Sequence, residues 1–160
     1  FEAARDHHER HGRSAGNGSL MRTAPLALLD VSDAELTRIA SEVSLLTHYE
    51  DDATEACVIW THAIRNAIRT GAVDTSLEAE LLQIDPGRRE GWRERIEAAH
   101  ALAPSEFANN GWVVSAFQAA LTSSSAFLRL AAAKTFTFSA ASAVRSHRPR
   151  AAPRCTWRAH

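Results

Sequence analysis

From Asp52 to Thr70, the residues Ala53, Ala56, Cys57, Trp60, Ala63, Ile64, Ala67 and Ile68 keep one apolar stripe in register for about five helical turns. Gly71 stands where a left-handed C′ residue would close the helix. A rod of this length, roughly 28 Å at 1.5 Å per residue, has to be covered by other apolar faces, and the rest of the chain offers helices to do it. Ser32-Asp33-Ala34-Glu35 has the form of a capping box, with Leu36, Ile39, Ala40, Val43 and Leu46 repeating behind it at helical spacing. Residues 2–11 read as the end of a helix closed by Gly12. Met21 to Leu29, apolar with Pro25 near its start, predicts a short buried helix, and Thr75–Leu82 predicts another short one. Pro86 suits the first turn of a helix running to about Leu102, before Pro104. Asn109-Asn110-Gly111 makes a turn into a further buried helix carrying Val113, Val114, Ala116, Phe117, Ala120 and Leu121. No segment alternates as a strand does, so the predicted fold class is all-α.

A chain of 160 residues suits one domain with a real core. No apolar run approaches the roughly 20 residues of a membrane span, and no targeting signal can be read. The chain begins with Phe1, so its N-terminus reads as cut. Cys57 and Cys155 are too few and too differently placed for a disulfide framework, which fits a reducing, cytoplasmic setting. A net charge of −1 hides a sharp asymmetry. Every Asp and Glu lies at or before Glu106, whereas Arg129, Lys134, Arg145, Arg148, Arg150, Arg154 and Arg158 follow without a carboxylate. Helical periodicity also fades after Thr122. Two regions are therefore expected: a helical part over 1–122, and an Ala/Ser/Arg-rich tail over 123–160 that buries too little apolar surface to stay ordered after about residue 140. A shifted reading frame or a degenerate gene end would produce such a change.

The stretch from Gly12 to Arg22 carries the chemistry. Glycines at 16 and 18 sit among Ser14, Asn17 and Ser19, just ahead of an apolar helix. Glycine there admits positive φ and close approach of a ligand, and leaves N–H groups free to face an anion. Arg22 could add charge, or be solvated or paired with a carboxylate. His48 lies between two helices, from which an imidazole can reach into a cleft, with Thr47 able to orient it. His7-His8-Glu9-Arg10-His11 places His7 and His11 on one helical face, but His8 and His11 are three apart and lack the His-Glu-x-x-His spacing of zinc proteases; no third ligand lies nearby, and no metal site is read. Glu50-Asp51-Asp52 suits the positive end of the long helix, with Asp52 as a cap. Trp112, at a helix start in apolar sequence, reads as core more readily than as a ligand contact. Asn17-Gly18-Ser19 has the form of a glycosylation acceptor, which means nothing without a secretion signal.

The uninterrupted match through Ser14, Gly16, Asn17, Gly18, Ser19, Met21 and Arg22, together with Leu45-Leu46-Thr47-His48 and Ala53-x-x-Ala56-Cys57, resembles the ADP-ribosylglycohydrolase family, which includes dinitrogenase-reductase-activating glycohydrolases and ADP-ribosylarginine hydrolases. The likeness is read over about residues 5–122. It implies a compact orthogonal helical domain, here incomplete at both ends. It also implies that Ser14, Gly16, Asn17, Gly18, Ser19, His48 and Gly111 contact ADP-ribose, His48 as a binding residue rather than a general base. Family members hold two magnesium or manganese ions through a Thr-Asp-Asp near the N-terminus and an Asp-x-Asp-Thr near the C-terminus. Neither motif occurs here, and Asp51 and Asp52 do not match the first in position. No catalytic residue or metal ligand is assigned. The expected partners are an ADP-ribosylated protein or a small ADP-ribosyl compound, with no membrane and no sequence-specific nucleic acid. Three readings stand: a fragment of a metal-dependent ADP-ribosyl hydrolase, inactive alone; an inactive ADP-ribose-binding module; and a plain helical interaction domain.

Overall fold

The computed structural model describes residues 1–107 and 110–124. Helix α1 (Glu2–His11) leads through a loop to α2 (Gly18–Thr23), which runs directly into a 3-10 turn at Ala24–Leu28. Then come α3 (Asp33–Leu45), α4 (Asp51–Thr70), α5 (Glu78–Leu81), a 3-10 turn at Pro86–Arg88 and α6 (Arg89–Ala101). A 3-10 turn at Pro104–Glu106 precedes α7, which occupies 113–124 within the described residues. There is no strand among the described residues, and the expected all-α class holds. An isolated antiparallel bridge joins Gly16 to Trp112.

The helix ends follow the sequence signals. Gly12 (φ 66°) and Gly71 (φ 70°) both sit in the left-handed region and donate back to the carbonyls of His8 and Ala67. Ser32 Oγ accepts the Glu35 amide at 3.2 Å, but the Glu35 carboxylate turns to Arg38, so only half of the expected capping box forms. The helix predicted over Thr75–Leu82 shrinks to one turn. Asp74 accepts both the amide and the hydroxyl of Ser76, a local turn that competes with helix until Glu78.

Helix α4 is the central rod, packed by α2, the 24–28 turn, α3 and α5. Ala53, Ala56 and Cys57 of the predicted stripe are fully buried, and burial pushes the Cys57 thiol up from its usual pKa. Burial extends well beyond that stripe to Glu55, Val58, Ile59, Thr61, His62 and Arg65, while Ile68 at the far end is exposed. Phe117 of α7 meets Trp60 and Trp92 edge-on, with centroids 5.8 and 5.3 Å away, joining α7 to α4 and α6. Thr122 Oγ1 to Ala99 O (2.6 Å) and Gln118 Nε2 to Arg95 O (2.8 Å) fix α7 along α6.

The segment from Met21 to Leu29 departs from its expectation. Leu20 and Ala27 are buried, but Met21 and Leu28 are 76% and 73% exposed, because a single short helix can bury only one of its sides. Arg65 and Glu55, two buried polar groups of α4, have specific partners. Arg65, 2% exposed, donates to the carbonyls of Leu29 (2.7 Å) and Val31 (2.9 Å) and to Asp33, fixing the turn into α3. Glu55 accepts from Arg88 Nε (2.6 Å) and Trp92 Nε1 (2.7 Å). The helix of 113–124 continues past the expected boundary at 122, and the remainder of the expected tail, 125–160, lies outside the described residues.

Candidate functional site

The loop after Gly12 is pinned from three directions. Its middle pairs with the segment before α7: Asn17 N donates to Gly111 O at 3.0 Å and Val113 N to Ala15 O at 2.9 Å. Asn17 Nδ2 donates to Asn110 O at 2.5 Å. From below, Glu50, the residue that opens α4, takes the Ser14 amide on its Oε2 at 2.7 Å. From α1, His8 Nδ1 lies 2.9 Å from Ser14 Oγ. These contacts open a cavity of about 730 Å³ on the loop, within the usual size range of small-molecule sites.

Four of the residues singled out in the sequence, Ser14, Gly16, His48 and Gly111, line this cavity together with Thr47 and Trp112. The other three do not line it. Asn17 turns its amide to Asn110, Gly18 begins α2, and Ser19 is fully buried with its hydroxyl 3.4 Å from Gly16 O. Trp112, expected in the core, is 39% exposed and forms part of the cavity wall. Pairing of its neighbours with the loop holds it at the surface.

The glycines act differently from the expectation. Among the described residues, positive φ occurs at Gly12, Gly71 and Leu77, and at neither Gly16 nor Gly18. At Gly16 space is short: a Cβ there would stand 2.9 Å from His48 Nε2, so the imidazole would have to move. At Gly18 the nearest atom to such a Cβ would be His48 Cε1 at 3.5 Å, an ordinary contact. The imidazole thus rests on the bare backbone of the loop. Helix α2 has six residues, so it adds far less positive potential than a long helix would.

Two carboxylates line the cavity, and both are engaged. Glu50 holds the Ser14 amide, and Asp52 Oδ1 accepts from Arg88 (2.7 Å) and Arg95 (2.8 Å), with Oδ2 3.2 Å from Arg95. Asp52 therefore ties α4 to the start of α6 instead of capping its own helix. Arg95 also stacks over Trp92, 4.8 Å from the ring centroid. Arg13 lines the cavity without a carboxylate partner among the described residues and places a positive charge in the same wall as Glu50 and Asp52. The pKa of His48 is lowered, first by burial and then by the positive charge of Arg22, which favours the neutral ring. Arg22 is paired with no carboxylate among the described residues; it donates to Gly18 O (3.1 Å) and Thr47 Oγ1 (2.7 Å).

Sequence reasoning missed Glu50 as a loop clamp, Arg22 as the donor to Thr47, and Arg13 as a wall residue. Glu50 and Ser14 are 36 positions apart, and no local pattern signals their contact.

A divalent ion of the family's kind does not fit the residues present. All the carboxylates of the chain fall within the described residues, yet no group of three or more His, Cys, Asp or Glu side chains among them could hold a metal. The two carboxylates of the cavity are already bound to guanidinium and amide donors.

Residues 1–147 match the ADP-ribosylglycohydrolase family, a likeness that reaches past residue 122. No curated protein and no solved structure matches the chain significantly. With its helical architecture and a match over most of its length, the chain belongs to the ADP-ribosylglycohydrolase family.

Proposed function

We propose that the cavity between the 12–18 loop, His48 and Gly111-Trp112 binds the ADP-ribosyl group of an ADP-ribosylated protein or small ADP-ribosyl compound. The observation that carries this reading is convergence: Ser14, Gly16, His48 and Gly111, spread over almost a hundred positions, line one cavity. The Gly16 amide has no acceptor among the described residues and lies in that wall, so it can donate to a phosphate oxygen. Arg13 supplies the positive charge at the wall, and Trp112 presents an apolar face on which a base can stack.

Glycosidic cleavage in this family uses magnesium or manganese to activate water, whereas the cavity carboxylates of this chain serve other bonds. The function proposed for residues 1–160 on their own is therefore recognition of the ADP-ribosyl group without turnover. Calorimetry with ADP-ribose tests recognition. Saturable binding, weakened by Gly16→Val, is the expected result; no heat at millimolar ADP-ribose with folded protein would leave a plain helical interaction domain. Incubation with an ADP-ribosylated arginine peptide and added magnesium or manganese tests turnover. Metal-dependent release of ADP-ribose would refute the second half of the proposal.

A further inference from the structure

Arg22, Thr47 and His48 form a chain of hydrogen bonds, and the direction of its first link is fixed by chemistry. A guanidinium can only donate, so Arg22 Nη2 gives a proton to Thr47 Oγ1 across 2.7 Å. Thr47 Oγ1 lies 2.7 Å from His48 Nδ1, and no other protein acceptor for its hydroxyl proton is present among the described residues. The arrangement that uses every proton has the threonine hydroxyl donating to Nδ1, which leaves the proton of a neutral imidazole on Nε2. Nε2 is also the ring atom nearest the loop, at 2.9 Å from where a Gly16 Cβ would be.

We propose that Arg22 and Thr47 are positioning residues that lock His48 in its Nε2–H form, so that this N–H serves the cavity as a donor to an oxygen of the bound ligand. Arg22 does not line the cavity, and it reaches the ligand only through this relay. Its second bond, Nε to Gly18 O at 3.1 Å, ties the same guanidinium to the start of α2, so loop and imidazole share one clamp. Arg22 of α2 is the charge that acts on the ring, and the other charged and titratable groups that share its cavity are Arg13 of the loop, His7 of α1, and Glu50 and Asp52 at the start of α4. Glu50 and Asp52 are engaged by Ser14 and by Arg88 and Arg95, which leaves the nearby positive charge of Arg22 to oppose protonation of the ring. The relay itself is independent of the ligand, whereas its use as a donor rests on the ADP-ribosyl reading above.

Nitrogen-15 NMR of the histidine side chains in the full chain, with His48 assigned by its loss in His48→Gln, reads the tautomer directly. The wild-type ring is expected as Nε2–H. Thr47→Val should mix the two tautomers and Thr47→Ser should restore the wild-type form. Arg22→Met should raise the pKa of His48 toward its usual value. With ADP-ribose as the probe, Thr47→Val and Arg22→Met are each expected to weaken binding about tenfold, with Thr47→Ser near wild type. An Nδ1–H ring in the wild type, or ring signals indifferent to both variants, overturns the relay whatever binds. A wild-type chain with the expected tautomer that does not bind ADP-ribose overturns the ligand reading instead.

Discussion

Gly16→Ala adds a single methyl group at the tightest point of the cavity. Its Cβ would stand 2.9 Å from His48 Nε2, 3.4 Å from His48 Cδ2 and 3.9 Å from Gly111 O. Comfortable contact between such atoms begins near 3.5 Å, so the ring has to retreat by roughly 0.5–1 Å. A displacement of that size along the bond stretches the 2.7 Å contact between Thr47 and His48 to about 3.2–3.7 Å, weakening or breaking it. Weakening or losing the bond costs about 0.5–1 kcal/mol, and an off-rotamer imidazole adds about 0.5–1.5 kcal/mol. The sum, about 1–2.5 kcal/mol, corresponds to a melting temperature lower by roughly 2–10 °C for a chain of this size. Gly18→Ala should behave differently. Its Cβ would make an ordinary 3.5 Å contact, and the backbone there is already helical, so a gain of up to about 0.5 kcal/mol is expected from the lower entropy of the unfolded chain. Urea unfolding followed by circular dichroism, with calorimetry against ADP-ribose on the same samples, measures both. Equal effects at the two positions, or a Gly16→Ala protein with wild-type stability and affinity, would refute the steric account.

Burial lowers the pKa of both His48 and His62 below 6.5, so the native state binds fewer protons than the unfolded chain just under that pH. Stability is therefore expected to be whole above pH 6.5 and to fall as the pH drops from there toward the native values, and His62→Gln should flatten part of the decline in urea titrations at pH 7.5 and 5.5. Glu55→Ala leaves Arg88 and Trp92 Nε1 without their shared acceptor and is expected to cost about 3 kcal/mol, at the low end for a buried pair because Arg88 can rehydrate; Glu55→Gln, which keeps one acceptor, should cost less. Arg65→Met leaves the carbonyls of Leu29 and Val31 without donors and should cost about 2–3 kcal/mol, with faster amide exchange over 29–33 than elsewhere.

The parts of the fold that depend on neighbours in sequence are legible in it. Gly12, Gly71 and Ser32 mark helix ends because their capping bonds reach only three or four residues, and the stripe of α4 follows from the helical period. The polar face of α4 is not legible. Glu55, His62 and Arg65 resemble solvent-facing residues in sequence, and their burial depends on Arg88, Thr37 and Leu29, 25 to 36 positions away. The same holds at the cavity. The resemblance brought forward Ser14, Gly16, His48 and Gly111, which line it. Glu50 and Asp52 looked like helix caps, and only the folded chain shows one holding the loop and the other two arginines. Met21 and Leu28 show the converse: apolar residues on a helix too short to hide them.

The pairing of Ala15 and Asn17 with Val113 and Gly111 gives the cavity a place in time as well as in space. Its first wall leaves the ribosome early and its last wall almost a hundred residues later, an interval of roughly 5–20 s at ordinary rates of synthesis. Until then α4 and its neighbours can gather, but the 12–18 segment has no partner across from it. Chain closure over so long a span is slow and late, so a nascent chain stopped before Gly111 should collapse into helices that leave the cavity without its last wall.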